Sequence, residues 1–275
     1  MMKKILLTGY KGFIGSHMLA SLNKKYNVTT YDWAEGTRPS VLGFDWVIHI
    51  GANSATTERN IDLIMRQNYE FSVELYKECR KFGVNMQYSS SASVYGLGVS
   101  FSETSPPDPR TPYAWTKYLF DRYAENNPSG FITQGFRYFN VYGTNEEHKG
   151  TQASPVTQFR KQARESGKFK LFKNSESYLR DFICVEDIVD TQLTFMDNVN
   201  TSGIWNIGTG RTASFQDIAN IVAIQENAKI VYVDMPDNLK PGYQKYTCAD
   251  LTKLNSTIGE RNWTTVEEWM YKNGI

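Results

Sequence analysis

Three glycines near the start of the chain, Gly9, Gly12 and Gly15, have the spacing of a loop that holds a dinucleotide. They follow a short apolar run, Lys4–Thr8, and a helical pattern begins within the loop. Such glycines permit a tight turn, close approach of the backbone to a pyrophosphate and close helix packing, while the helix N-terminus offers free N–H groups. With Asp32 ending the next predicted strand, the pattern predicts a dinucleotide site. The structural alternative is a strand-helix turn with incidental glycines.

A tyrosine and a lysine farther along, Tyr113 and Lys117, lie one helical turn apart, so both project from the same helix face. The lysine charge can lower the pKa of the phenol, and its amino group can bond a nicotinamide ribose. Such a pair alone is common and usually structural. Ser91 follows a predicted strand end and can donate a hydrogen bond to the same substrate oxygen. Together the three side chains predict redox chemistry on a carbohydrate hydroxyl.

The choice between NADP and NAD stays open from these residues. Asp32 would normally bond the ribose 2′-hydroxyl and so favours NAD, because a carboxylate repels a 2′-phosphate. Arg38 is close enough in the sequence to fold back and pair with that phosphate. The alternative for Arg38 is a solvated loop charge.

Alternating strands and helices must position these residues. The predicted strands cover residues 4–8, 27–31, 45–50 and 85–89, and the predicted helices follow the glycine loop and cover 61–82 and 113–126. This alternation predicts an α/β fold with a doubly wound parallel Rossmann sheet, whose ligands bind beyond the carboxyl ends of the strands.

The predicted domain boundaries follow from where this alternation breaks and returns. Residues 1–142 with 182–207 are expected to form the dinucleotide-binding domain, and 143–181 with 208–275 a smaller C-terminal substrate lobe. Only residues 33–44 separate the second predicted strand from the third, which is too short for another strand and a full crossover helix. The sheet is therefore expected to lack its outer strand after Asp32, leaving the adenine end of the cofactor site more open.

Composition excludes several classes of function. The 275 residues carry a formal net charge of +1, so the chain has no overall positive field to hold nucleic acid or an anionic membrane. The apolar stretch after the N-terminal lysines is too short for a signal peptide or a membrane span. Three separated cysteines, Cys79, Cys184 and Cys248, suit neither disulfides nor a metal site and are interpreted as small buried residues. A cytoplasmic protein without a metal is expected.

Three motifs resemble the extended short-chain dehydrogenase/reductase superfamily: Thr8–Gly15, Ser89–Gly96 and Tyr113–Lys117. Further stretches are similar to one family within it, the ADP-L-glycero-D-manno-heptose 6-epimerases. They are Gly135–Gly143, His148–Gly150, Leu171–Ser177, Arg180–Phe182, Asn206–Arg211 and Tyr243–Gln244. The resemblance runs over nearly the whole chain apart from the gap after Arg38, and it also implies a homo-oligomer.

The resemblance implies a set of site residues. It makes Ser91, Tyr113 and Lys117 the catalytic triad and Lys149 a second acid/base group. The implied substrate contacts are Asn140, Thr151, Gln158, Phe172, Lys173, Asn174, Ser175, Arg180 and Tyr243. The expected cofactor contacts are Gly9, Gly12, Phe13, Ile14, Gly15, Asp32, Trp33, Arg38, Gly51, Ala52, Asn53, Asn68, Ser89, Tyr113, Lys117 and Val141. NADP is the expected cofactor, with NAD as the alternative.

Some of these positions depart from the family pattern or have structural alternatives. Gln158 stands where a histidine is expected, and Lys173-Asn174 where an acidic residue and a glycine are expected. Arg180 is the best candidate for a diphosphate clamp, because a guanidinium can pair two phosphate oxygens. An ion pair with Asp181 or another acidic residue is the alternative for Arg180, and a solvated loop position is the alternative for Lys149.

The predicted function is a nucleotide-sugar epimerase that oxidises a carbinol to a transient ketone and reduces it again, acting on C6 of ADP-glycero-manno-heptose. The alternatives are a 4-epimerase or a dehydratase of the same superfamily. Dehydratases need an Asp-Glu pair after the triad serine, where this chain has Ala92 and Ser93. A non-catalytic dinucleotide sensor is the alternative from another class.

Overall fold

The chain folds as alternating strands and helices in a computed structural model that describes residues 2–128, 130–237 and 239–273. The strands in these ranges are β1 Lys4–Thr8, β2 Asn27–Tyr31, β3 Trp46–His49, β4 Asn85–Ser91, β5 Thr133–Tyr138, β6 Asn140–Tyr142, β7 Lys168–Phe172, β8 Leu179–Arg180, β9 Phe182–Cys184, β10 Gly203–Ile207, β11 Ala213–Ser214 and β12 Lys229–Val233. The α-helices are α1 Phe13–Leu22, α2 Ile61–Ile64, α3 Phe71–Phe82, α4 Pro112–Asn126, α5 Pro155–Ser166, α6 Val185–Asn198, α7 Phe215–Gln225, α8 Thr252–Ile258 and α9 Val266–Lys272.

One central sheet organises the first part of the chain. Its strand order is β10, β5, β4, β3, β1, β2, and the strands from β5 to β2 pair in parallel. The apolar residues of β1 and β3 are buried, as expected of strands covered on both faces. The doubly wound α/β fold predicted from the sequence is confirmed.

In the part of the chain that the structure describes, the sheet ends at β2, without a further strand beyond it. Residues 33–44, all of which the structure describes, form only a 3-10 turn, Trp33–Glu35, and a loop. Rossmann sheets usually carry another strand outside this position. The prediction that the outer strand is missing is therefore confirmed, and the cause is the length of the connection.

The parallel pairing brings the ends of several strands to one edge. Thr8 lies beside both Tyr31 and His49, and Ser91 lies beside Tyr138. Since residues after parallel strands leave the sheet at the same edge, the glycine loop, Asp32 and the residues that follow β3 and β4 are brought to that edge.

The helix predicted at 61–82 contains an irregularity. Between α2 and α3, residues Met65–Glu70 form a π-helical segment, and the helical path continues through it. The helix ends at Gly83, which takes the left-handed conformation that glycine adopts without steric cost. π-helical segments within α-helices occur frequently at functional sites.

Contacts within the chain divide it into two compact units. Unit 1 comprises residues 1–96, 107–138 and 189–206, and unit 2 comprises 97–106, 139–188 and 207–275. Unit 2 contains three two-stranded pairings: β6 with β9, β7 with β12, and β8 with β11. Its own apolar core includes Phe159, Phe169 and Trp269.

Two smaller observations complete the fold. No helix of the described residues is long and apolar enough to cross a membrane. Cys79 and Cys184 are buried as expected, whereas Cys248 is partly exposed, so the expectation of three buried cysteines is wrong at that position.

Candidate active site

The glycine loop joins β1 to α1 and packs closely against the end of β3. Gly9 has φ +75°, and a Cβ there would lie 2.3 Å from the Cα of Gly51. A Cβ on Gly15 would lie 2.0 Å from the carbonyl oxygen of Gly9. Since both contacts are with backbone atoms, which cannot move aside, Gly9 and Gly15 are required by the packing of the loop itself.

Gly12 has a different surrounding. It is the N-cap of α1, it makes no side-chain cap, and a Cβ there would meet only the Gly9 oxygen at 3.4 Å, an ordinary contact. Packing within the chain therefore does not require glycine at this position. A helix start with no side-chain cap and no acidic residue in its first turn suits an anion, so the loop fits a pyrophosphate. Phe13 and Ile14, the next predicted contacts, begin α1.

The predicted ribose residue, Asp32, caps the short turn after β2. Its Oδ1 accepts a hydrogen bond from the Ala34 N–H at 3.2 Å. Trp33 is exposed on one side and contacts the Phe71 ring edge-on, at 5.2 Å between centroids. Arg38 is neither a solvated charge nor an unpaired one, because its guanidinium forms an ion pair with Glu78 on α3. The alternative reading of Arg38 as a solvated loop charge is wrong.

Asn68 connects the loop after β3 to α4, the helix that carries Tyr113. Its Oδ1 accepts from the Asn53 N–H at 2.7 Å, and its Nδ2 donates to the Asn53 carbonyl at 3.0 Å. The same Nδ2 donates to Thr116 Oγ1 at 3.2 Å, and Thr116 donates to the Tyr113 carbonyl at 2.7 Å. Asn68 thus fixes the predicted segment around Ala52 relative to α4, and the π-helical segment presents it.

A buried hydrogen-bonded chain continues from Asn68 to the end of β1. Ser72 donates to the Asn68 carbonyl, and His49 contacts Ser72 Oγ through Nε2 at 2.8 Å and Thr8 Oγ1 through Nδ1 at 2.7 Å. Burial lowers the pKa of His49 to about 3, so the ring is neutral. His49, Ser72 and Thr116 were not among the residues predicted from the sequence. The only available signal was a histidine within an otherwise apolar strand.

The structure brings Ser91, Tyr113 and Lys117 together in unit 1. Ser91 ends β4 and its hydroxyl hydrogen-bonds the Tyr113 phenol. Lys117 Nζ donates to the Ser89 carbonyl at 2.8 Å and lies 5.8 Å from the centroid of the Tyr113 ring. Thr111 caps the helix and Pro112 occupies its first turn, which fixes where α4 begins.

The pKa of Tyr113 does not follow the expectation from the sequence. Burial raises the pKa of the phenol, and the hydrogen bond from Ser91 opposes that rise. The charge of Lys117 was expected to lower it, but burial lowers the pKa of Lys117 itself to about 8. In this state of the protein the phenol holds its proton at neutral pH, and its deprotonation requires further positive charge in the site.

A buried carboxylate one turn beyond Lys117 on α4 forms an ion pair with an arginine of β5. Asp121 is completely buried and accepts from Arg137 Nε at 2.9 Å and from Ser90 Oγ at 3.0 Å. Arg137 also donates to the Tyr95 hydroxyl at 3.1 Å. Charge from Asp121 opposes the fall in the pKa of Lys117. This pair was not predicted from the sequence, although Asp121 follows Lys117 at the four-residue spacing that places both on one helix face.

Unit 2 contains the arginine predicted to clamp a diphosphate. Its guanidinium lies 5.5 Å from the ring centroids of both Phe215 and Tyr243, and it donates to the carbonyls of Leu179 and Gln244. Arg180 is 7% exposed, and among the described residues it pairs with no carboxylate. A nearly buried guanidinium compensated only by carbonyls and aromatic rings is suited to an anionic ligand.

The alternative partner of this arginine, Asp181, is fully occupied elsewhere. Its carboxylate accepts from the N–H groups of Thr209, Gly210 and Ala249 at 2.8, 3.0 and 3.0 Å. The alternative of an Arg180–Asp181 ion pair is therefore wrong.

Lys149 lies in the turn between β6 and α5 of unit 2. Its Nζ is 3.5 Å from Glu146 Oε2, and the completely buried Glu146 also accepts from the Ser154 N–H at 2.7 Å. Gln158, which stands in place of an expected histidine, donates to the carbonyls of Thr151 and Ala153 at 3.2 and 2.6 Å. This glutamine therefore stabilises the turn that carries Lys149.

The other predicted substrate residues of unit 2 occupy strand ends and the loop after β7. Phe172 contacts the Tyr243 ring edge-on at 6.3 Å, and Lys173 forms an ion pair with Asp234 at 3.0 Å. Asn174 has the left-handed φ of +62° that the expected glycine would also adopt. The remaining substrate residues are the buried Ser175 and Asn140 of β6, and the predicted cofactor contact Val141 lies next to Asn140 in the same strand.

Solved structures similar to this chain include sugar-nucleotide enzymes. An ADP-L-glycero-D-manno-heptose-6-epimerase from Helicobacter pylori is 25% identical, with a TM-score of 0.86, over 98% of this chain and 94% of that one. A UDP-glucose 4-epimerase from Thermotoga maritima, solved with UDP-glucose, is 26% identical, with a TM-score of 0.84, over 97% and 96%. A UDP-glucose 4-epimerase from Thermus thermophilus in complex with NAD is 24% identical, with a TM-score of 0.77, over 92% of each chain, which is a likeness of fold alone.

A family comparison covers more than half of the chain. Residues 5–208 match the family described as NAD dependent epimerase/dehydratase. The matched range includes the glycine loop, Ser91, Tyr113 and Lys117, so the resemblance to this superfamily noted in the sequence is confirmed. The chain is an enzyme of the epimerase type, and it belongs to the NAD-dependent epimerase/dehydratase family.

Proposed function

We propose that this enzyme inverts one carbinol carbon of a nucleotide-activated sugar by oxidation to a transient ketone and re-reduction. The observation that carries the proposal is the grouping of Ser91, Tyr113 and Lys117 at the edge of the sheet where the glycine loop also lies. A proton donor-acceptor beside a dinucleotide loop supports chemistry on an alcohol.

The cofactor in this proposal is a nicotinamide dinucleotide. The uncapped start of α1 at Gly12 would hold its pyrophosphate, Asp32 its adenosine ribose and Lys117 its nicotinamide ribose. Held there, the cofactor would supply hydride transfer from and back to the carbinol carbon, and its positive charge would favour the Tyr113 phenolate. The closeness of Gly9, Gly15 and Gly51 leaves Gly12 as the position where a ligand can approach the backbone.

Proton transfer is assigned to the side chains. Tyr113 takes the hydroxyl proton, and Ser91, already bonded to that phenol, orients the substrate oxygen. Lys149 is proposed as the second acid/base group that serves the inverted oxygen, with Glu146 beside it as a partner for its charge. Dehydration is less favoured, because the turn after Ser91 carries Ala92 and Ser93 instead of two carboxyl groups.

The proposed substrate is ADP-glycero-manno-heptose, inverted at C6. The motifs of unit 2 and the similarity to the Helicobacter pylori enzyme support this choice. A 4-epimerase acting on a UDP-sugar is the second candidate, since the Thermotoga maritima enzyme is as similar. The polar departures at Gln158 and Lys173 also bear on sugar and nucleotide recognition rather than on the redox step.

Product analysis distinguishes these substrates. The enzyme is incubated in D2O with ADP-D-glycero-D-manno-heptose, UDP-glucose or UDP-N-acetylglucosamine, and the products are identified by NMR. We expect inversion of ADP-heptose, with hydrogen rather than deuterium at the inverted carbon, because hydride returns from within the site. Inversion of a UDP-sugar alone would favour the second candidate. Bound dinucleotide without any sugar turnover would support a sensor instead.

Replacing Arg180 with Met tests the diphosphate clamp. Loss of charge-assisted hydrogen bonds worth about 1.5–3 kcal/mol predicts a KM for the nucleotide sugar raised by about 10- to 100-fold. Met keeps apolar contact with Phe215 and Tyr243. Arg164→Met is the control, since Arg164 forms an exposed ion pair with Glu226 in the same unit. An unchanged KM in the Arg180→Met enzyme would contradict the clamp.

A further inference from the structure

The ion pair between Asp121 and Arg137 joins α4 to the central sheet beside Lys117. Asp121 follows Lys117 by one helical turn, so both side chains project from the same face of α4, and both are buried. Arg137 belongs to β5 and lies in register with Ser90 of β4. Lys117 Nζ donates to the carbonyl of Ser89, the residue before Ser90. The lysine and the ion pair therefore contact neighbouring residues of the same strand end.

Contacts of this pair hold the chain on both sides of Ser91. Asp121 accepts a hydrogen bond at 3.0 Å from the hydroxyl of Ser90, the residue directly before Ser91. Arg137 donates at 3.1 Å to the hydroxyl of Tyr95, in the turn that follows Ser91. The pair thus fixes the segment that carries the triad serine from both directions.

Both members of the pair are charged. Burial raises the pKa of Asp121, and the charge of Arg137 opposes that rise. A neutral Asp121 would leave the buried guanidinium of Arg137 without a counter-charge, and an unpaired buried charge is far more costly than a buried pair. Asp121 is therefore an anion one helical turn from Lys117.

The other titratable groups around Lys117 and Asp121 leave this anion without a competitor. Those inside the unit are His49 of β3, Tyr88 of β4, Tyr113 of α4 and Tyr138 of β5. Burial lowers the pKa of the histidine to about 3 and raises the pKa of each tyrosine, so all four are neutral at working pH. Glu125, a further turn along α4, is exposed and paired with Arg122. Burial lowers the pKa of Lys117 to about 8, and in the described part of the chain the charge that opposes this fall is that of Asp121.

We propose that Asp121 is a positioning residue that keeps Lys117 protonated in the working enzyme, and that Arg137 keeps Asp121 ionised. Without the carboxylate, the buried ammonium group would release its proton closer to neutral pH, and Tyr113 would lose a positive charge that favours its phenolate. The proposal rests on the proposed function in one respect, that Tyr113 transfers the proton and a charged Lys117 assists it.

Titration of the Lys117 ammonium group tests the proposal without requiring turnover. Protein isotope-labelled at the lysine Cε carbons is titrated by NMR, and the Lys117 signal is assigned by its absence in the Lys117→Met variant. We expect the wild-type signal to titrate with a pKa of about 8. Asp121→Asn keeps the shape of the side chain and removes its charge, so we expect the pKa of Lys117 to be lower by about one unit or more.

The pH dependence of kcat gives a second readout. Because the charged lysine is required, activity falls as the pH rises through the pKa of Lys117. This alkaline limb should move to lower pH in Asp121→Asn, and a shift of about one unit lowers kcat on the alkaline side by up to about tenfold. Loss of packing alone would lower kcat at every pH and leave the limb in place.

Glu125→Gln is the matched control, because it removes an exposed carboxylate from the same helix and should leave both readouts unchanged. If Asp121→Asn does not fold, Asp121→Asn/Arg137→Gln removes both charges and leaves neither buried alone. We expect a smaller shift in the same direction, since Asp121 shares the helix of Lys117 and Arg137 does not. An unchanged Lys117 pKa in the folded variant would overturn the proposal. A shifted pKa in an enzyme that turns over no nucleotide sugar would overturn the proposed function instead.

Discussion

Replacing Tyr113 with Phe is expected to lower kcat by about 10²- to 10⁴-fold, the usual contribution of a positioned acid-base group. The ring and its packing remain, so only the proton-transferring hydroxyl and its bond with Ser91 are removed. Dinucleotide affinity should stay within a factor of about two, because Lys117 holds its position through the Ser89 carbonyl rather than through the phenol. Steady-state kinetics and a dinucleotide titration measure the two effects separately.

The control lies on the same helix. Tyr118 is partly exposed, its ring contacts Trp115 at 6.0 Å, and it is five residues from Tyr113. Tyr118→Phe should keep full activity. Retained turnover in the Tyr113→Phe enzyme would show that another group moves the proton, and the mechanism proposed for Ser91 and Tyr113 would have to be abandoned.

The second large effect concerns two glycines of the loop, one required for packing within the chain and the other for the approach of a ligand. Gly15→Ala would place a Cβ 2.0 Å from the Gly9 carbonyl oxygen, and we expect the free energy of unfolding to fall by about 3 kcal/mol or more, since backbone cannot yield. Gly12→Ala meets only an ordinary contact at 3.4 Å and should leave stability nearly unchanged. It should nevertheless weaken dinucleotide binding, because the methyl group occupies space that the pyrophosphate needs.

Urea unfolding and dinucleotide titration of both variants measure these effects. The expected pattern is a stability loss in Gly15→Ala and a binding loss without a stability loss in Gly12→Ala. If Gly12→Ala binds the dinucleotide as well as the wild type, the loop does not bring its backbone to the pyrophosphate at this position.

Local patterns predicted the elements that carry the site. Three of these patterns depend only on neighbouring residues, and each indicated the right element. They are the apolar run before Gly9, the acidic strand end at Asp32 and the four-residue spacing of Tyr113 and Lys117. The missing outer strand followed from counting residues 33–44. Such features need no knowledge of distant parts of the chain.

Features that depend on distant partners could not be predicted. Arg38 is paired with Glu78, forty residues away, on a helix whose approach only the fold determines. The hydrogen-bonded path from Thr8 through His49 to Asn68 joins three separate elements, and the spacing of these residues in the sequence does not indicate that they are connected. The lowered pKa of Lys117 likewise comes from burial, and the burial of an individual side chain cannot be read from the sequence.

The π-helical segment sets the direction in which Asn68 points from its helix, and the site depends on that direction. An α-helix advances about 100° per residue, so one residue gained or lost between Asn68 and α3 would rotate Asn68 by roughly that angle relative to α3. Ser72, on α3, would keep its place beside His49 while Asn68 turned away from Asn53. A length change of one residue here would thus leave the helix intact and uncouple the loop after β3 from the catalytic helix. The number of residues between Asn68 and α3 therefore decides whether Asn68 can bond to Asn53.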